Sequence, residues 1–335
     1  MRFIKYISLI VLGLSLNQAY SQWTGTAYEL YKNQKFEEAK VAIDSAVSST
    51  ERFDSQTWQL RGLIYRSISD GDQLYYRGIA MESFVHAKKL DSTGVYTAKI
   101  NDYLKSTVLR YYNDAVTLLT EEKEFVKAEE SYNTYKKHYS TLVDPSFNFD
   151  KTDVEFYNAM GVEYLNKADD FELSKKAEFK EKSIYYCLKT LAIDSLHYQA
   201  NYNIGIVYYG NAVDYITSVD PEITIEQLIL NQKRAEESFL KGIPFLKTCE
   251  RLNSEDINVK IALMGCYYGL NNEEEYLIYQ TYVDLYYLSS YLDTYKTDPT
   301  DQDNLKILIR IYTVTLPNAE EAEKYKNELH SLQDE

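Results

Sequence analysis

One stretch, Tyr157 to Ser195, limits what this chain can fold into more than any other. Tyr157, Met160, Gly161 and Tyr164 recur at i, i+3, i+4, i+7, the spacing of one face of a helix. Ser183, Cys187, Thr190 and Leu191 form the same kind of face on a second helix. Each face carries small residues at its centre, where two helix axes would have to approach closely. The segment Leu191-Ala192-Ile193-Asp194-Ser195 closes the unit.

Variants of this helix pair precede and follow it. The first pair sets Trp23, Ala27 and Leu30 on one helix and Ala39, Ile43 and Ala46 on the next, joined by an Asn33-Gln34-Lys35 turn. The second sets Trp58, Gly62 and Tyr65 against Ala80, Phe84 and Ala87, with a Ser69–Asp72 turn between them. The third has a long first helix, about Thr97 to Thr120. Its second helix follows Glu124 and carries Ala128, Tyr132 and Tyr135. The pair at Tyr157 is the fourth. The fifth opens with Asn201, Ile204, Gly205 and Tyr208. After Asp220-Pro221 it adds an amphipathic insertion from about Thr224 to Leu240, then a helix with Gly242, Leu246 and Cys249. Pro244 predicts a break near Lys241, because proline removes a helix hydrogen bond and clashes with the preceding turn. The sixth sets Ile261, Met264, Gly265 and Tyr268 on its first helix. A final pair is divided at Leu316-Pro317.

The small residue of the first helix moves by 35 residues from Ala27 to Gly62 and by 44 from Gly161 to Gly205. A base period of about 34 with insertions accounts for both. In that spacing, and in Trp58…Gly62…Tyr65 with Ala80…Phe84…Ala87, the chain resembles the tetratricopeptide repeats, over about Trp23 to Leu332. The proline that ends the family's motif is replaced by Ser92, Ser195 and Ser254.

The resemblance implies an all-α fold: a right-handed α-solenoid of about six to seven helix pairs with insertions, filling residues 22–335 as one domain. It also implies a concave groove lined by the first helices, and a role in binding proteins. In the family's frame the groove-facing places lie three before, one after and four after the small residue. Around Ala27 they are Thr24, Tyr28 and Tyr31; around Gly62, Gln59, Leu63 and Arg66. Around Gly161 they are Asn158, Val162 and Leu165; around Gly205, Tyr202, Ile206 and Tyr209. The polar, aromatic and apolar members expected to bind are Tyr28, Tyr31, Gln59, Arg66, Asn158, Tyr202, Ile206 and Tyr209. The set lacks the several Lys and Arg that would clamp a terminal carboxylate.

Residues 1–21 have the order of a secretory signal peptide. Arg2 and Lys5 precede an apolar run from Ile7 to Leu16, and Ala19 and Ser21 stand before Gln22. No Cys follows the run, so no lipoprotein anchor is expected, and the mature chain is expected to be periplasmic or secreted. With 36 basic and 51 acidic residues the formal net charge is −15. Such a surface repels phosphate backbones and anionic lipid, which argues against nucleic-acid and membrane-surface partners.

The four His, His86, His138, His197 and His330, lie far apart and form no metal-ligand motif; His138, His197 and His330 read as solvated. Asp298, Asp301 and Asp303 read as a solvated turn, lacking the glycine a Ca²⁺ loop needs. Cys187, Cys249 and Cys266 fall on helix faces and are expected to be buried thiols. No cofactor, metal or catalytic group is indicated.

The chain has 34 Tyr, six pairs of them adjacent: 75–76, 111–112, 185–186, 208–209, 267–268 and 286–287. Neighbours on a helix point about 100° apart, so one ring can enter the core while the other reaches the surface. The function expected is an exported scaffold that binds a protein or extended peptide through a Tyr-rich groove. Two alternatives fit the same residues: a glycan- or peptide-capturing protein, and a soluble subunit of an envelope secretion or assembly machine.

Overall fold

The structure is a computed structural model that describes residues 22–68, 73–171, 173–217 and 223–333. The expected leader, the Ser69–Asp72 turn and the Asp220-Pro221 loop lie outside the described residues. Within them the chain is all-helical, with fourteen α-helices and no strand. No helix among the described residues is long and apolar enough to cross a membrane.

The chain divides into two compact units, the first ending at Phe149 and the second beginning at Asp150. The first holds α1 (Gln22–Lys32), α2 (Phe36–Val47), α3 (Ser55–Ser67), α4 (Gln73–Leu90), α5 (Thr97–Thr120) and α6 (Phe125–His138). Its closest packing joins α1 to α2, α3 to α4 and α5 to α6. The second holds α7 (Asp150–Ala168), α8 (Leu173–Ile193), α9 (Tyr198–Thr217), α10 (Ile225–Leu252), α11 (Ile257–Gly269), α12 (Glu273–Thr297), α13 (Gln302–Arg310) and α14 (Ala319–Gln333). Here too successive helices pack in twos, α7 with α8, α9 with α10, α11 with α12 and α13 with α14.

Local signals set the helix boundaries. Asp54, Asp256 and Asp301 each accept a backbone N–H from the first turn of α3, α11 and α13, filling groups that no helix can pair internally. Thr224 and Gln227 form a reciprocal capping box at the start of α10. The turns α1–α2, α5–α6 and α11–α12 each place one residue in the left-handed region, Gln34, Lys123 and Asn271, at φ 59°, 58° and 53°. That reversal brings the Lys35 and Asn272 N–H groups back to the carbonyls of Leu30 and Tyr267, at 3.0 Å each.

Small residues hold the pairs at close range. A Cβ on Gly161 would lie 2.6 Å from Cys187 Sγ, and one on Gly205 would lie 2.7 Å from Leu246. A Cβ on Gly62 would overlap the Phe84 ring. Gly242 returns the contact from the other side, where a Cβ would lie 3.1 Å from the Gly205 carbonyl oxygen. A serine accompanies several of these crossings. The Ser131, Ser183 and Ser238 hydroxyls donate to the carbonyls of Tyr111, Gly161 and Tyr208 on the facing helix, at 2.9, 2.7 and 2.8 Å.

Four expectations are corrected. Helix α10 runs unbroken through Pro244. Its buried stripe, Ala235, Phe239, Gly242, Leu246 and Cys249, continues past the proline. The carbonyl that loses its partner belongs to Leu240, a residue 59% exposed at the surface. On α11 the buried face is Val259, Ala262, Leu263, Cys266 and Tyr267, not the face centred on Gly265; Tyr268 is 70% exposed. Gly265 instead receives the Tyr209 ring of α9, and Gly269 receives the Phe239 ring of α10. Trp23 is exposed rather than lining the first pair. His138 is half-buried against Tyr111, and burial lowers its pKa.

Candidate binding site

The site is built from corresponding turns of three first helices in the first unit. Tyr31 ends α1, Arg66 ends α3, and Arg110 lies in the second half of α5. Together with Phe36, Leu63 and Ile68 they line a cavity of ≈440 Å³. Three of the residues expected to face a groove, Tyr31, Leu63 and Arg66, therefore meet in one place. Tyr31 packs against the Ala27–Ile43 core and stands 5.8 Å from the Phe36 ring.

Short contacts fix the two guanidinium groups. Arg66 donates from one Nη to Ser106 Oγ at 2.7 Å and lies 5.9 Å from the centre of the Tyr103 ring. Arg110 donates to the Arg66 carbonyl at 2.9 Å, near the end of α3. Burial lowers the pKa of Arg110, and the nearby Arg66 and Arg77 lower it further, against the opposing pull of Asp114. Asp114 is itself engaged by Arg77, at 2.5 Å. Among the described residues neither Arg66 nor Arg110 forms an ion pair. Arg110 was missed in the sequence because no small residue was assigned to set the frame of the third pair's first helix.

The other expected residues are placed differently. Tyr28, one turn before Tyr31, is 49% exposed. Gln59 is buried. In the second unit Asn158, Tyr202, Ile206 and Tyr209 are all half-buried. Tyr202 stacks on Tyr198 with ring planes 10° apart, and the Tyr198 hydroxyl donates to Asp256. Tyr209 fills the space above Gly265. Burial raises the pKa of both Tyr202 and Tyr209, as expected of rings set into a seam. Two further cavities, ≈730 Å³ beside the Arg77–Asp114 pair and ≈360 Å³ at the α11–α12 turn, contain none of the eight.

Cys187, Cys249 and Cys266 are unpaired and buried, and burial pushes their thiols up to about 11, 12 and 12. Asp298 accepts from Thr300, and Asp301 from the N–H groups of Asp303 and Asn304. These carboxylates shape the turn before α13. No protein-family model matches the chain, and no curated protein matches it.

Proposed function

We propose that the protein is a tetratricopeptide-like scaffold, an α-solenoid of helix pairs that holds a protein or extended peptide against its first helices and catalyses nothing. One observation carries this reading: Tyr31, Arg66 and Arg110, from successive first helices, open into a single cavity. Packing of helices in twos across glycine contacts supports the repeat architecture. The leader read at residues 1–21 supports a periplasmic or secreted location and a partner in the cell envelope.

The test uses the mature protein as bait on an envelope fraction. Truncating an aromatic or Arg anchor often costs about 2 kcal/mol or more in binding. The Tyr28→Ala, Arg66→Ala double variant is therefore expected to lose its retained partner by more than about tenfold, with helical signal and melting temperature unchanged. Tyr185→Ala alters a ring on α8 that is 50% exposed, and is expected to keep the partner. Equal retention by both variants, or loss confined to Tyr185→Ala, removes the first helices as the binding surface.

A further inference from the structure

We propose that the cavity bounded by α4, α5 and α6 binds an organic amine. The apolar body of the amine lies on Leu74, Tyr111 and Leu118, its ammonium group meets Glu122 and Glu130, and a polar atom on the body pairs with the Tyr111 hydroxyl. This site shares no lining residue with the cavity at Tyr31 and does not depend on the scaffold reading.

The cavity itself makes the first argument. Its ≈730 Å³ falls within the roughly 300–1,000 Å³ of small-molecule sites, and its wall is mainly apolar. Leu74, in the first turn of α4, is 58% exposed, and Leu118 of α5 is half-buried. The three helices are tied together around the space. Arg77 of α4 pairs with Asp114 of α5 at 2.5 Å, and its guanidinium lies 4.5 Å from the centre of the Tyr111 ring. Ser131 of α6 donates to the Tyr111 carbonyl at 2.9 Å. The walls are therefore set before any ligand arrives.

Tyr111 makes the second. Its side chain lines the cavity and is 7% exposed. A phenol buried this far usually finds a hydrogen-bond partner. The other deeply set phenols do so: Tyr65 donates to Asp44 and Tyr279 to Glu250. The Tyr111 hydroxyl has no such partner among the described residues. Burial raises its pKa, so the hydroxyl keeps its proton and can both donate and accept. A ligand atom in the cavity supplies the missing bond.

Charge makes the third. Arg77, Asp114, Glu122, Lys127 and Glu130 line the space. Arg77 is matched by Asp114, and Lys127 by Glu124 at 3.5 Å. Glu122 and Glu130 form no ion pair among the described residues. An apolar wall edged by two unmatched carboxylates suits a cation with an apolar body and disfavours an anion. An ammonium is a compact charge with three donors, and its bonds to carboxylates are charge-assisted. The amine can be a free molecule or a lysine side chain flanked by apolar residues; the shared chemistry is the ammonium with its apolar body.

Calorimetric titration with matched probes tests the site, in about 0.15 M salt so that attraction to the acidic surface at large is screened. Tyramine is expected to bind saturably, and tyrosol, of similar shape without the charge, at least about tenfold more weakly, as when a charge-assisted contact is lost. The Glu122→Gln, Glu130→Gln double variant is expected to abolish the preference for the amine. The Glu236→Gln, Glu237→Gln variant, altered at exposed acids of α10, is expected to keep it. Phenethylamine, which lacks the phenol hydroxyl, is expected to bind more weakly than tyramine, and Tyr111→Phe to remove that difference. Each variant is checked by thermal melting. An acetylated, amidated Phe-Lys-Phe peptide that binds tighter than tyramine identifies a chain as the source, and the reverse order identifies a free amine. Equal binding of tyramine and tyrosol, a preference that survives the Glu122→Gln, Glu130→Gln change, or a tyramine advantage over phenethylamine that is absent from the wild type or persists in Tyr111→Phe would each overturn the proposal.

Discussion

The glycines of the first helices are not equivalent, and the differences predict opposite effects of one kind of substitution. Gly205 is sealed by Leu246, so Gly205→Leu must displace α10; overpacking of this kind costs about 1–3 kcal/mol. Gly25 lies in α1 with nothing within 4 Å of an added Cβ. There Gly25→Ala removes a helix-interior glycine and is expected to gain up to about 1 kcal/mol. Thermal melts should show Gly205→Leu lowered and Gly25→Ala level or raised, at about 2–4 °C per kcal/mol. Gly62, Gly161 and Gly205 were all legible in the sequence, because a glycine within a helical stripe has few reasons to be there but close approach. The serines were not. Ser131, Ser183 and Ser238 look like ordinary polar helix residues until their acceptors on the facing helix are known. Yet Ala80-Met81-Glu82-Ser83-Phe84, Ala128-Glu129-Glu130-Ser131-Tyr132 and Ala235-Glu236-Glu237-Ser238-Phe239 repeat one pattern, with its Ala and aromatic buried each time. That repeat was legible and marks Ser131 and Ser238, but it does not mark the bond by itself: Ser83 donates to Ile79 of its own helix at 2.7 Å, and Ser183 stands outside the pattern.

Among the elements, the last helices depend on one buried charge. Asp284 of α12 is 1% exposed and accepts from Arg310 at 2.5 Å, Gln280 at 3.2 Å and Thr315 at 2.9 Å. It thereby ties α12 to α13 and to the π-helical turn Ile311–Thr315. Removing one partner of a fully buried ion pair typically costs about 3–5 kcal/mol; the Arg310 side chain left behind here is 39% exposed, so water takes up part of that loss. Asp284→Ala is expected to free the C-terminal segment first. Limited proteolysis should then cut near Leu316 well before the first unit is touched; simultaneous cleavage throughout would contradict a local role. Helix α10 shows the limit of reading elements from single residues. Proline propensity argued for a break, but a buried stripe on both sides of Pro244 outweighed one lost bond at the exposed residue Leu240. Likewise the face of α11 was misassigned because Gly265 suggested a crossing with α12, whereas it receives a ring from α9.

For the molecule as a whole, the abundance of buried phenols and thiols sets an alkaline limit on stability. Tyr65 and Tyr279 donate to Asp44 at 2.6 Å and to Glu250 at 3.0 Å. Burial first, and the adjacent carboxylate second, raise their pKa values, as they do for Tyr198 beside Asp256. The three thiols are raised by burial to about 11–12. A group whose folded pKa exceeds its unfolded value stabilises fully below the unfolded value, and that stability is lost as pH rises through the folded one. With unfolded thiols near 8.5 and phenols near 10, the urea midpoint is expected to be flat up to about pH 8 and to fall steadily above it. Tyrosinate absorbance should lag behind that of free tyrosine until the protein unfolds, and a thiol reagent should find no reactive Cys in the native protein and three after denaturation. A midpoint constant to pH 11 would show that these groups are accessible in the folded state.

The rings above Gly265 and Gly269 give the second unit a direction in time. The seats lie on α11, but their occupants, Tyr209 and Phe239, are supplied by α9 and α10. The dependence is mutual: a fragment that begins at Ile257 lacks the rings that fill its seats, and a fragment that ends at Leu252 leaves Phe239 and its neighbours in the shared core without their cover. During synthesis only the second of these exists, so α9 and α10 stay partly uncovered until α11 has been made.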